Sequence, residues 1–387
     1  MLRFEILVAE GEPPRAPRRG RLTLDHGAVE TPAFMPVGTA GTVKAARFDD
    51  LEALGATILL SNTYHLLVRV GPERIRSLGG LHRFIGWDRP ILTDSGGFQV
   101  LSLEKTRKVT EEGVLFRSHV DGTPHLLTPE RAATIQLGDF GVDVAMALDE
   151  CPPRDVTADE ARASMERTHR WARRGREAFE RLRAEAGGRD GGARGAQFGI
   201  VQGGRFAQLR EESAATVAGI GFEGVACGGV SVGEPKEEMR ATVERTGPLL
   251  PWERPRYLMG VGRPDDLVHA VLHGFDLFDC VLPTRAARHG LLYLRDGSTL
   301  VVKNARYRDD TAPPDPGGAG PLCRRHSRAY LRHLYLAGEP TAATLMTIHN
   351  LHAVLDLMRR IREALGRGEM RAFSAAFLAA AARKDEA

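Results

Sequence analysis

A chain of 387 residues is too long for one small core, so it predicts either one large domain carrying an insertion or two domains. With 42% hydrophobic and 27% charged residues it reads as a soluble globular protein, and a formal net charge of +3 is too small to demand a nucleic-acid partner. No apolar run approaches the ~18 residues of a membrane span, MLRFEILVAEGEPP lacks a signal-peptide layout, and Cys151, Cys227, Cys280 and Cys323 are too scattered for a disulfide framework; a cytoplasmic protein with no membrane partner is expected.

In chain order, residues 1–30 predict a short antiparallel lead-in. Eight short apolar runs follow: TPAFMPVG, ATILLSN, PILTDSGG, DVAMALDE, AQFGIVQGG, FEGVACGG, RYLMGVG and LFDCVLP. Continuous apolar runs of this length suit strands buried on both faces of a parallel sheet. Helical patterns lie between most of them. One, residues 157–183, opens on a capping-box pair, Thr157 and Glu160; another, residues 263–274, has Pro264 in its first turn and Gly274 at its stop. Eight strands alternating with helices predict an α/β fold, a (β/α)8 TIM barrel. A doubly wound open sheet is the runner-up, but no G-x-G-x-x-G opens a strand–helix unit.

Outside this rhythm, GGRDGGARG (187–195) is a loop by composition, and residues 284–345 read as an inserted small subdomain after the eighth strand. The predicted division is therefore a barrel with its lead-in over 1–283, the insertion over 284–345, and C-terminal helices over 346–387, broken near Gly366 and Gly368. Arg285, Arg288, Arg306, Arg308, Arg324, Arg325, Arg328, Arg332 and Lys303 crowd the insertion. A phosphate-binding surface and a solvated helix face explain that crowding equally well.

Barrel chemistry sits at the C-terminal ends of the strands, and the unusual residues of this chain fall there. Asp94 ends the third run, Asp149 the fourth, Gln202 the fifth and Gly229 the sixth; Met259 lies in the seventh and Asp279 in the eighth. A single aspartate at a strand end more often caps the next helix. Three converging on one mouth point instead to nucleophile and acid/base work at a sugar carbon. Gly96 and Gly97 let backbone approach a ligand beside Asp94, and Gln202 with Asp149 offers the donors and acceptors that a purine edge requires. Tight turning is the plain alternative for the glycines, and burial of a small side chain for Cys151 and Cys227.

The motifs SNTYHL, LTDSGGFQV, FRSHVDG, LDEC, FGIVQGG, GGVSVGEP, YLMGVGRPDDL, FDCVLPTRAARHG, SRAYLRHL and TIHNLH resemble, in order and over nearly the whole chain, the queuine tRNA-ribosyltransferase family, in its bacterial form the tRNA-guanine transglycosylases. The resemblance implies an enzyme, a pentosyltransferase of queuosine biosynthesis. It would exchange guanine at the wobble position of tRNA with a G-U-N anticodon for a 7-deazaguanine, with no cofactor needed for the chemistry. Asp279 would be the nucleophile, leaving a covalent ribosyl ester, and Asp94 the general acid/base. Ser95, Gly96, Gly97, Phe98, Asp149, Cys151, Gln202, Gly229, Val230, Val232 and Met259 would hold the base. Two segments would contact RNA: Gly260, Val261, Gly262, Arg263, Pro264, Asp265 and Asp266, then Thr284, Arg285, Ala286, Ala287 and Arg288. Val232 stands where eukaryotic relatives carry glycine, which implies 7-aminomethyl-7-deazaguanine (preQ1) rather than the bulkier queuine. Val230 replaces the usual leucine.

The resemblance also implies a structural zinc, held by C-x-C-x-x-C and a later histidine, in an insertion that supports a homodimer. Here Cys323 and His349 match the third and fourth ligands, but the first two positions are Gly318 and Gly320. Two strong bonds are missing, so the site reads as a remnant and the balance is against zinc. Asp315, His326 and His352 are the nearest substitutes, and the support for a dimer is left in question. Three rival functions stay open: a non-catalytic RNA-binding partner subunit, a relative modifying DNA, and a glycoside hydrolase.

Overall fold

A computed structural model describes residues 2–101, 107–190 and 195–382. The chain opens with a three-stranded antiparallel sheet, Arg3–Ala9, Arg18–Leu24 and Gly27–Thr31. Alternation in the middle strand turns Leu22 and Leu24 to one face, where they join Met35, Leu60, Val144, Phe198 and Leu277 in a buried cluster. Period-two patterning therefore makes the lead-in a lid over the floor of the main sheet.

That main sheet is parallel throughout. Its segments are Ala33–Met35, Val37–Gly38, Leu59–Asn62, Ile91–Asp94, Val144–Met146, Ala196–Val201, Gly224–Cys227, Arg256–Leu258 and Leu277–Asp279. From Val37–Gly38 onward each pairs with the next, and the last pairs with the first. The first two segments are one strand interrupted at Pro36, whose carbonyl accepts the Leu60 N–H at 3.1 Å. Counted this way there are eight strands, one in each predicted run, in a nearly closed barrel with helices outside. Nearly every strand residue is buried, which is why these runs are apolar without alternation.

Three features depart from the sequence reading. Between the third and fourth strands, Arg107–Val109, Val114–Arg117 and Pro124–Leu127 form a small antiparallel sheet that was not predicted; its residues are short, mixed and partly exposed. Helix Ala158–Asp190 runs through the first four residues of the predicted loop 187–195, since each glycine costs a packed helix only about 1 kcal/mol; residues 191–194 lie outside the described residues. After the eighth strand come helix Leu282–Arg288, hairpin Leu291–Tyr293 with Thr299–Val301, and helix Arg328–Leu336 around their own apolar cluster, including Leu292, Leu322, Leu331 and Met346. Helix Pro340–Gly366 then begins ahead of the predicted boundary at 346; Gly368, at φ +69°, breaks it from Met370–Ala382. Residues 383–387 lie outside the described residues, among which no helix is long and apolar enough to cross a membrane.

Candidate active site

Strand register brings two carboxylates to the barrel mouth. Asn62 pairs with Asp94 across the second and third strands, and Met35 pairs with Asp279 across the first and eighth. Asp94 Oδ1 accepts the Thr63 N–H at 3.0 Å and the Gly96 N–H at 3.1 Å, while Asn62 Nδ2 donates to Oδ2. Asp279 Oδ1 accepts the Tyr257 hydroxyl at 2.6 Å and the Gly260 N–H at 2.8 Å. Among the described residues nothing bonds to Oδ2 of Asp279, so one oxygen is anchored and the other is open.

Burial pushes the Asp94 carboxyl up to about 7, against the pull of the Thr63 and Gly96 N–H groups and with the help of the neighbouring Asp279 charge. Burial also raises Asp279, and there the Tyr257 and Gly260 hydrogen bonds oppose it. Tyr257 is itself held far above the usual phenol range by burial and by Asp279, so it remains a donor. A carboxyl near 7 beside an anchored carboxylate is the pairing that divides proton transfer from nucleophilic attack.

Beside this pair lies a second buried cluster. Gln202 Nε2 donates to Asp149 Oδ2 at 2.7 Å, and Gln202 Oε1 is buried with no partner among the described residues. An unmet acceptor of this kind marks a place for a ligand N–H. Burial pushes Asp149 up to about 6, with Gln202 opposing, and pushes the Cys151 thiol up to about 12. A Cβ at Gly97 would stand 2.8 Å from the Asp149 carbonyl, so only glycine lets the 94–97 turn close on Asp149. Gly229 sits at φ +62°, and a Cβ there would stand 2.6 Å from Gln202 Oε1. Ser95 and Val230 are buried, Val232 and Met259 half-buried, and Phe98 is 52% exposed at the rim. Gly229 and Val232 also line a cleft with Pro152, Arg154, Gly204 and Glu234.

The predicted RNA segments divide by exposure. Arg263 and Arg285 are exposed and Arg288 is half-buried, with Nη1 donating to the Thr284 carbonyl at 2.9 Å. Gly260 is half-buried and spends its N–H on Asp279, and Ala286 is half-buried too. Val261, Gly262, Pro264, Thr284 and Ala287 are buried beneath them. Asp265 and Asp266 pair with Lys236 and Arg240, at 3.0 and 2.8 Å from the latter, so their charges are already matched.

Sequence reasoning missed Asn62, Thr63 and Tyr257. Asn62 ends a strand just as Asp94 does, and Thr63 opens the helix that follows, a signal that was available. Tyr257 inside an apolar strand looks like core, and nothing in the sequence separates it from one.

The remnant metal position keeps half its geometry. Cys323 Sγ lies 3.7 Å from His349 Nδ1, close to the ligand spacing of a tetrahedral zinc, and His349 Nε2 lies 2.8 Å from the Tyr293 carbonyl. The other two positions are filled: a Cβ at Gly318 would stand 2.9 Å from Asp315 Oδ2, and one at Gly320 would stand 2.9 Å from His352 Nδ1. Asp315 is occupied, accepting the Arg295 N–H at 2.7 Å and the Gly317 N–H at 3.1 Å. Among the described residues, the one set of three potential ligand atoms within 4.8 Å of each other is His26, His82 and Asp143, on the barrel floor. There each Asp143 oxygen already meets a backbone N–H and an imidazole nitrogen, all within 3.0 Å. The residues present do not fit the family's structural zinc.

The family described as Queuine tRNA-ribosyltransferase matches residues 14–383 of this chain. A Queuine tRNA-ribosyltransferase of Koribacter versatilis (strain Ellin345) is 53% identical over 95% of this chain and 94% of its own length. One of Cereibacter sphaeroides (strain ATCC 17029 / ATH 2.4.9) is 52% identical over 99% and 97%, and one of Aromatoleum aromaticum (strain DSM 19018 / LMG 30748 / EbN1) is 51% identical over 98% of each. Full-length likeness at this level, on a barrel whose strand ends carry the family's motifs, settles the kinship: the chain belongs to the queuine tRNA-ribosyltransferase family.

Proposed function

We propose that this protein is a tRNA-guanine transglycosylase that replaces the wobble guanine of G-U-N anticodons with preQ1. The observation that carries the reading is the asymmetry of Asp279, with Oδ1 anchored by Tyr257 and Gly260 and Oδ2 open. Oδ2 attacks ribose C1′; the bond from C1′ to guanine N9 breaks and guanine leaves with that electron pair. The covalent ribosyl ester then meets the incoming base. Asp94, raised to about 7, takes the N9 proton as N9 bonds to C1′ and Asp279 is released.

Asp149 and Gln202 hold the base edge, the Gly97 and Gly229 turns admit a flat ring, and Val232 narrows the space for a 7-substituent. Arg263, Arg285 and Arg288 hold the RNA backbone. The chemistry needs no cofactor. The insertion is held by its apolar cluster and by Asp315 rather than by zinc, and the working form is a homodimer in the cytoplasm.

The test is incorporation of labelled guanine into unmodified tRNA with a G-U-N anticodon, beside an Asp279→Asn variant. The expected result is exchange by the wild type and none by the variant. Exchange that persists in Asp279→Asn would overturn the assignment of the nucleophile, and no exchange by the folded wild type would overturn the activity.

A further inference from the structure

Arg210 belongs to helix Ala207–Ile220 and is only 2% exposed. Its guanidinium joins two turns at the barrel mouth. Nε donates to the Gly204 carbonyl at 2.6 Å, after the fifth strand; Nη1 donates to the Gly228 carbonyl at 3.1 Å and Nη2 to the Gly229 carbonyl at 3.0 Å, after the sixth. Among the described residues no carboxylate comes within ion-pair distance of it. A buried cation served only by three carbonyls and the Cys227 sulfur, 3.5 Å from Nη1, is costly, and a leucine or methionine would fill the same space without that cost.

Peptide planarity shows what the arrangement accomplishes. The carbonyl and the following N–H lie on opposite edges of one plane. With the Gly228 and Gly229 carbonyls turned to Arg210, the N–H groups of Gly229 and Val230 point the other way. Gly229 adjoins the pair that would hold the base edge: a Cβ there would stand 2.6 Å from Gln202 Oε1, and Gln202 Nε2 in turn donates to Asp149 Oδ2. A charged donor on a carbonyl also polarises its amide, which strengthens the N–H on the far edge. A purine leaving C1′ develops negative charge across its ring, and a fixed, polarised donor stabilises such charge with no reorganisation.

Resting on the base-exchange reading, we propose that Arg210 is a positioning residue for it: the guanidinium orients and polarises the Gly228–Val230 backbone, and through that backbone its charge reaches the base. Arg210 touches neither base nor ribose.

The test is steady-state guanine exchange by full-length Arg210→Met and Arg210→Lys, with KM measured separately for guanine and for tRNA. Arg210→Met is expected to raise the guanine KM and lower kcat by about tenfold each, with the tRNA KM within about twofold of wild type. Arg210→Lys, which keeps the charge but not the fork, should recover part of both losses. Melting curves and tRNA filter binding on the same samples report folding. An unchanged guanine KM in both variants overturns the proposal. So does a parallel rise in both KM values, or loss of the fold in both variants, since either makes Arg210 a stability residue. A folded wild type that exchanges no guanine sinks the base-exchange reading, and this inference with it, before any Arg210 variant is compared.

Discussion

The Tyr257 hydroxyl donates to Oδ1 of Asp279 at 2.6 Å, and in doing so leaves open the other oxygen, the one proposed to attack. The Gly260 N–H, at 2.8 Å, shares that duty from the turn that follows the same strand. Tyr257→Phe keeps the packing of a fully buried ring and removes one of the two anchors. Loss of one charge-assisted hydrogen bond predicts a fall in kcat of about tenfold, with both KM values little changed. A variant as fast as wild type would show that Gly260 alone suffices.

The position of Asp94 near neutrality predicts a pH profile. It accepts a proton only when ionised, so the second half-reaction should quicken as pH rises through about 7 and then level off. Single-turnover transfer of base onto preformed ribosyl-enzyme checks this directly. Asp94→Asn should be slow and should lose that inflection. A wild-type profile flat across neutrality would remove Asp94 from proton transfer.

Asp149 makes a prediction about stability. Its folded pKa of about 6 lies above the ordinary carboxylate value, so the folded state holds its proton more tightly than the unfolded chain does. That advantage is fully present below about 4 and is lost as pH climbs through about 6. Asp149→Asn cannot ionise. It should therefore melt higher than wild type at about pH 8, by up to about 3 kcal/mol of stability, and match it at about pH 4. Thermal melts at the two pH values decide the matter. The same variant should lose guanine exchange, because its amide no longer presents two acceptors.

For the insertion, the expectation is indifference to chelators. Prolonged dialysis against EDTA should change neither the melting curve nor exchange, and elemental analysis should find zinc far below one per chain. Gly318→Cys with Gly320→Cys, which completes three thiolates and an imidazole around the Cys323–His349 half-site, should gain stoichiometric zinc once Asp315 and His352 move aside. A wild-type protein that carries zinc and unfolds without it would refute the metal-free account.

Much of this architecture was legible because physics acts on it locally. A strand buried on both faces must be apolar throughout, so eight runs announced eight strands. A parallel barrel places its chemistry where those runs end, and Asp94, Asp149, Gln202 and Asp279 stood there. What stayed hidden depends on partners distant in sequence. Arg210 resembles any helix arginine until its three carbonyls are known, and Tyr257 resembles core until Asp279 is beside it. Asp143, at the start of a strand, gave no sign that it gathers His26 and His82 from two other segments. The sheet of residues 107–127 escaped because its stability comes from packing on Tyr64 and Trp171 rather than from its own pattern.

The seam of the barrel has a consequence for the order in which the chain is made. Ala33–Met35 emerges early from the ribosome but finds its partner, Leu277–Asp279, only after most of the protein has been synthesised. The pairing that shuts the ring also sets Met35 opposite Asp279, so closure and the arrival of the proposed nucleophile are one event. Arg18 and Asp276, buried and 258 residues apart, lock the same seam from below. On the proposed mechanism, a nascent or truncated chain that has not closed lacks the seat of its nucleophile, and the fold itself would keep an unfinished copy from cutting a glycosidic bond.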